Sequence, residues 1–193
     1  VNASGTQWHD DDLAAACAAG PDGIVVPKVD SAQEVLDLVA AMERHGAPEH
    51  TRLWAMIESP AAVLAVGEIA AASPRLAALV IGTNDLVKEL GARHVPGREP
   101  LLTSLSLALL AARRSGVAIL DGVYNDVTDL DGFFAECRQG ADMGFDGKTL
   151  IHPGQVGPCN EVFAPSPAEI EDAHALVAAW DAGAGSGVVT HRG

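Results

Sequence analysis

Five short apolar runs, Gly23 to Val26, Leu53 to Ile57, Leu79 to Ile81, Val117 to Leu120 and Thr149 to Ile151, are each followed by a longer segment of helical character. This alternation constrains the fold more than any other feature of the chain. The runs are a few residues long, rich in Val and Ile, and lack strict apolar/polar alternation. Such runs suit strands buried on both faces, as in parallel sheets whose crossovers are helices. Ser31 to Arg44 is the clearest helix: Ser31 is placed to cap it, Glu34 to complete a capping box, and Val35, Leu38, Val39 and Met42 fall on one face. Pro60 to Ala72, Leu101 to Ser115, Leu130 to Gln139 and Pro167 to Trp180 take the same place after later strands.

Gly20-Pro21-Asp22-Gly23-Ile24-Val25-Val26-Pro27 is echoed by Gly144-Phe145-Asp146-Gly147-Lys148-Thr149-Leu150-Ile151-His152-Pro153. Both read as helix end, tight turn, buried strand and proline. Repeated βα units of a barrel leave such an echo, and a doubly wound open sheet can leave it too. The 193 residues suffice for one domain, whereas a complete (β/α) barrel takes about 250. Val1 to Gly5 reads as the exit of a strand, and the stretch around Gly183-Ala184-Gly185-Ser186-Gly187 as a linker. The expected organisation is therefore a barrel portion over 1–181 and a glycine-rich linker over 182–193.

The net charge of −14 speaks against a nucleic-acid surface, since phosphate backbones are held by excess Lys and Arg. No apolar run approaches the roughly 20 residues that span a bilayer. Cys17, Cys137 and Cys159 are widely spaced without a CxxC pattern, which indicates neither a zinc site nor a disulfide framework and suits a reducing cytoplasm.

In a parallel barrel the functional face lies at the C-terminal ends of the strands, and this sorts the polar residues. Glu58 follows the second run and Asp85 the third. If the two strands are neighbours, about 4.8 Å apart, the carboxylates can share one cation, with magnesium the natural occupant. Each acid alone could equally cap a helix or loop. Lys28 lies just past Val25-Val26-Pro27, placed to neutralise a substrate carboxylate or a CoA phosphate, or else to sit solvated in a loop. Asp121 could line an acyl pocket, join the outer shell of the metal, or cap the turn through Gly122. His152 could donate to a substrate oxygen or hold its own turn. Lys148 is expected to open its strand and point to the opposite rim, and Gly147-Lys148-Thr149 has the wrong upstream glycine spacing for a phosphate loop. His9-Asp10-Asp11-Asp12 reads as acids at a helix start rather than metal ligands.

Taken in order, Val26-Pro27-Lys28-Val29, Met56-Ile57-Glu58-Ser59, Ile81-Gly82-Thr83-Asn84-Asp85-Leu86, Leu120-Asp121-Gly122-Val123 and Gly144 through Gln155 resemble the citrate lyase β subunits and related CoA-ester lyases of the HpcH/HpaI aldolase superfamily. The resemblance implies a (β/α)8 TIM barrel, present here without its first strands and without a C-terminal lid. It implies a magnesium ion on Glu58 and Asp85, with Lys28, Asp121 and His152 as substrate-binding candidates. The reaction it implies is reversible carbon-carbon cleavage of a 3-hydroxyacyl-CoA thioester, of malyl-CoA or citramalyl-CoA type, to an acyl-CoA and a 2-oxo acid. It further implies a homo-oligomer, trimer or hexamer. Members carry an arginine directly before the Val-Asn that opens this chain and an aspartate in the lid, so the general acid/base has no assignment within it. A citrate lyase β subunit working on an acyl-carrier-bound citryl thioester, a 2-oxo-acid aldolase and a non-catalytic thioester-binding subunit remain alternatives.

Overall fold

The computed structural model describes residues 1–183. Its five strands, β1 (Gly23–Val26), β2 (Arg52–Ile57), β3 (Leu76–Ile81), β4 (Ala118–Asp121) and β5 (Gly147–Lys148), form one parallel sheet in chain order, each paired with the next. A doubly wound sheet would reverse its strand order at a switch point. No reversal occurs here. The helices α1 (His9–Ala19), α2 (Ala32–Arg44), α3 (Pro60–Ala71) and α5 (Leu102–Ser115) touch one another in that sequence, as one continuous layer. The sheet is therefore wound in a single direction, as an arc of a TIM-barrel-like α/β fold.

Burial follows the pleat. Leu53, Ala55 and Ile57 of β2 are fully buried against the helices, while the intervening Trp54 and Met56 are only half-buried on the other face. Leu79 and Ile81 of β3, and Ile119 of β4, continue the helix-facing row into the main core. A smaller core of Phe133, Cys137 and Cys159 joins α6 (Leu130–Met143) to α7 (Val156–Phe163). The last helix, α8 (Pro167–Ala182), starts at a capping box built on Ser166 and Glu169.

Local details differ from the sequence reading. Ser31 Oγ caps α2 by accepting from Glu34 N at 3.2 Å, but the Glu34 carboxylate reaches back to the amide of Asp30 at 2.6 Å rather than to that of the cap itself. A short helix, α4 (Thr83–Glu89), was not expected and carries Asp85 in its first turn. The fifth strand is Gly147–Lys148, not Thr149 to Ile151. Thr149 spends both its amide and its hydroxyl on the carbonyl of Asp121, after which the chain turns away. Helix α8 includes Ala182, the first residue of the expected linker, and from residue 184 onward that expectation lies outside the described residues.

Candidate functional site

Glu58 follows Ile57 at the end of β2, and Ile57 is in register with Ile81 at the end of β3. Glu58 thus sits one residue past the helix-facing row and turns to the opposite face, across the next position of the neighbouring strand. That position is Gly82. A Cβ there would stand 2.4 Å from both Cβ and Oε2 of Glu58, closer than real atoms approach, so the glycine is what leaves room for the carboxylate. Gly82→Ala must displace Glu58. We expect it to lower divalent-ion affinity at least tenfold with the far-ultraviolet spectrum preserved, as titration calorimetry beside circular dichroism will show.

Lys28 ties Glu58 to Asp85. Its backbone is left-handed (φ 56°), a conformation that a non-glycine residue holds only where its surroundings impose it. In this pose the Lys28 amide donates to Glu58 Oε1 at 2.8 Å while the ammonium lies 3.4 Å from Asp85 Oδ2. Both carboxylates therefore meet one residue of the β1 exit. Glu58 is 6 % exposed. Burial pushes its carboxyl above the ordinary glutamate value; the Lys28 amide opposes that shift and the negative charge of Asp85 adds to it. An additional positive charge between the two acids would relieve this repulsion. Both side chains offer hard carboxylate oxygens, the donor type that suits magnesium, which needs only one or two carboxylates; no third His, Cys, Asp or Glu joins them in a metal-holding group among the described residues. Ser59, next along, donates to Asp30 Oδ1 and caps α3 by accepting from Ala62 N at 2.9 Å.

For two expected substrate residues, Asp121 and His152, the geometry fits the alternative reading, in which each holds its own turn. Asp121 is fully buried and projects with Ile119 toward the helices, away from the face that Glu58 takes. Its oxygens receive Arg98 Nη1 at 2.6 and 2.8 Å, Lys148 Nζ at 3.1 Å and the amide of Gly122 at 2.8 Å, which leaves nothing to offer a substrate. Lys148 ends β5 rather than opening it, and its fully buried ammonium also meets Glu136 of α6 at 2.7 Å, so it does not reach the opposite rim. His152 caps a short turn, Pro153–Gln155, by accepting from Gly154 N at 3.1 Å, four residues past the end of β5. Its ring holds its own loop. The acids after His9 occupy the first turn of α1, where Asp12 accepts from the amide and side chain of Asn2.

Sequence reasoning missed the neighbouring cavity, about 450 Å³, bounded by the loop around Arg98, the loop from Val123 to Asp129, and α6. Asn84, beside Asp85, and Asn125 of that loop exchange two amide hydrogen bonds of 3.0 and 2.7 Å, so the cavity loop is joined to the carboxylate pair. Gln155, 1 % exposed, holds the loop from the other side by donating to the carbonyl of Tyr124 at 3.1 Å. Tyr124 donates to Asp129 Oδ2 at 2.6 Å, and that carboxylate pushes the phenol up to about 12. A folded pKa above the unfolded one means that the contribution to stability is complete below the ordinary tyrosine value, about 10, and is lost as pH rises through it toward the raised value. Tyr124 is the sole tyrosine of the chain. Its ultraviolet titration should therefore be a single step displaced to high pH, and Asp129→Asn should bring it back toward the ordinary value.

Among the described residues no helix is long and apolar enough to cross a membrane. A family model described as HpcH/HpaI aldolase/citrate lyase matches residues 1–153. A relative from Cereibacter sphaeroides named (3S)-malyl-CoA thioesterase is 51 % identical over 181 residues, covering 94 % of this chain and 61 % of that protein. The citrate lyase subunit beta of Escherichia coli is 37 % identical over 200 residues, covering 100 % of this chain and 66 % of its own length. Among solved structures, protein CitE from Mycobacterium tuberculosis in complex with magnesium, acetoacetate and coenzyme A superimposes with a TM-score of 0.75 at 31 % identity, over 94 % of this chain and 66 % of that one. The chain thus spans less than two thirds of the length of these relatives. Its sheet topology and this match over most of its residues agree: the chain belongs to the HpcH/HpaI aldolase/citrate lyase family.

Proposed function

We propose that this chain carries the magnesium-binding part of an enzyme that cleaves a carbon-carbon bond in a 3-hydroxyacyl-CoA thioester of malyl-CoA or citramalyl-CoA type, releasing an acyl-CoA and a 2-oxo acid. The observation that carries the reading is the convergence of Glu58 and Asp85 on Lys28 at the C-terminal rim of neighbouring strands, with Gly82 emptied to admit the first acid. The structure of CitE with magnesium, acetoacetate and coenzyme A supports the choice of metal and substrate class.

When bound, magnesium supplies Lewis acidity to the hydroxyl and carboxylate oxygens of the substrate. Glu58 and Asp85 would hold it. The raised proton affinity of Glu58 makes acid compete with the ion for that site. Lys28, whose ammonium rests beside Asp85 in the free chain, is placed to turn toward a substrate carboxylate once another cation neutralises Asp85. In the cleavage the hydroxyl gives up its proton and the breaking carbon-carbon bond leaves its electron pair on the thioester fragment as an enolate, which then takes a proton on carbon. That charge requires donors near the thioester oxygen.

The relative named as a thioesterase favours a second reading, hydrolysis of the thioester to a hydroxy acid and free CoA. Product analysis on malyl-CoA with the intact enzyme separates them. Carbon-carbon cleavage releases glyoxylate, trapped as its hydrazone, without free thiol; hydrolysis releases thiol without glyoxylate. A cytoplasmic homo-oligomer, trimer or hexamer, completes the proposal, with 1–181 as the barrel portion. Activity seen only when an acyl-carrier subunit is added would assign the enzyme to the citrate lyase β type instead.

A further inference from the structure

We propose that Asn84 and Asn125 are positioning residues for Asp85: their paired side-chain amides brace the first turn of α4 against the loop that follows β4. The inference rests on the reading of Glu58 and Asp85 as a magnesium site and adds what holds the second acid in place.

Asp85 needs such a brace. It lies in the first turn of α4, a helix of seven residues whose cap position is Gly82, and no side chain there bonds the free amides. Helices this short hold their shape only with outside support. Among the described residues, the carboxylate of Asp85 has one ion-pair partner, the Lys28 ammonium at 3.4 Å, on a side chain that is itself half exposed. Exposed pairs of this kind fix geometry weakly. Glu58 differs, being buried and bonded to a backbone amide.

The loop after β4 supports α4 at two points. Gly122 is pressed against Thr83, the first residue of the helix, so closely that an added Cβ would stand 2.5 Å from Thr83 Cγ2. Three residues on, Asn125 Nδ2 donates to Asn84 Oδ1 at 2.7 Å, and Asn84 Nδ2 donates to Asn125 Oδ1 at 3.0 Å. Each planar amide offers both donors and an acceptor, and the reciprocal bonds fix orientation as well as distance. The loop is anchored on either side of Asn125. Before it, the carbonyl of Tyr124 accepts from buried Gln155, whose own Oε1 accepts from Ile151 N at 3.2 Å. After it, Asp126 Oδ1 accepts from the amides of Thr128 and Asp129 at 2.9 and 3.2 Å. Support at Asn125 is therefore passed to α4 instead of being lost as loop motion. Both asparagines are exposed, so water competes for their amides and the effect on ion binding is several-fold, not the loss expected on removing a carboxylate.

Manganese affinity, read by electron paramagnetic resonance on the full chain without substrate, tests the brace. Asn125→Ala should weaken it three- to tenfold, although neither acid nor Lys28 is altered, with the urea midpoint close to that of wild type. Asn84→Ala should do the same, and the double variant should bind no more weakly than either single one, because a pair can be broken only once. Thr128→Ala removes the hydroxyl bond to Asp126 in the same loop and leaves the amide pair alone, so it should stay within twofold of wild type. The inference is overturned if both single variants hold manganese as wild type does, if their effects add, or if Thr128→Ala weakens binding as much as Asn125→Ala. In each of these cases the metal reading still stands, provided that wild type binds the ion and Glu58→Gln does not. Wild type that binds no manganese overturns that reading and the brace with it.

Discussion

Glu58→Gln is expected to lower the magnesium-dependent activity of the intact enzyme by about 10³-fold, equivalent to about 4 kcal/mol of transition-state stabilisation. The amide keeps the shape of the side chain, so Gly82 still accommodates it and its oxygen can still accept from the Lys28 amide. What disappears is the negative charge. The remaining acid, Asp85, then faces Lys28 alone, and that ion pair is satisfied without a metal. Magnesium holds its water tightly and is bound through only one or two carboxylates, so loss of one removes much of the protein's hold. Steady-state kinetics across a magnesium series should show activity collapsing at low metal and the apparent magnesium requirement rising steeply, with partial recovery at high metal. Asp85→Asn should behave alike, with one difference: Lys28 loses its ion-pair partner and its ammonium is freed.

Asp121→Asn has its largest effect on folding. In the native chain one carboxylate answers two buried cations, Arg98 and Lys148, with Glu136 completing the cluster. Burying charges is costly, and breaking a buried ion network by removing one member typically costs about 3–5 kcal/mol, because the partners keep their desolvation penalty. The cluster also closes the arc. Asp121 ends β4, Lys148 ends β5, Glu136 sits on α6, and Gly140 of the same helix approaches so closely that an added Cβ would lie 2.9 Å from Asp121 Oδ2. Urea unfolding of the variant should show the midpoint lowered accordingly, with the slope unchanged. A loss below about 1 kcal/mol, the scale of exposed pairs, would mean that the cluster contributes little.

The two acids illustrate what the sequence could disclose. Strand periodicity and the rule of functional strand ends led to Glu58 and Asp85, because both depend only on where an apolar run stops. Asp121 meets the same rule, yet of its three possible roles the structure shows the cap on Gly122. It ends β4 on the helix-facing row, so its side chain turns away from the rim that Glu58 faces, and one residue of register decides between the two sides. Lys148 was misread for the related reason that a two-residue strand has no periodicity to count. Arg98 carried no signal at all. It lies in an irregular stretch, Pro96-Gly97-Arg98-Glu99-Pro100, and its partners Asp121 and Gln139 are 23 and 41 residues away. Such contacts arise only from the assembled topology. The sequential strand order itself, which separates barrel from open sheet, likewise rests on pairings between distant segments.

Gly82 shows the reverse case. Its place in Ile81-Gly82-Thr83-Asn84-Asp85 was recognisable as part of a motif, but its physical reason was not. Only the neighbouring strand reveals that the missing side chain is space for Glu58.

Titrating manganese, a spectroscopic stand-in for magnesium, into the chain and counting bound ions by electron paramagnetic resonance tests the shared-ion site without any substrate. One ion per chain should bind, be displaced by magnesium, and be lost in both Glu58→Gln and Asp85→Asn. An ion held with undiminished affinity in either variant would contradict the site.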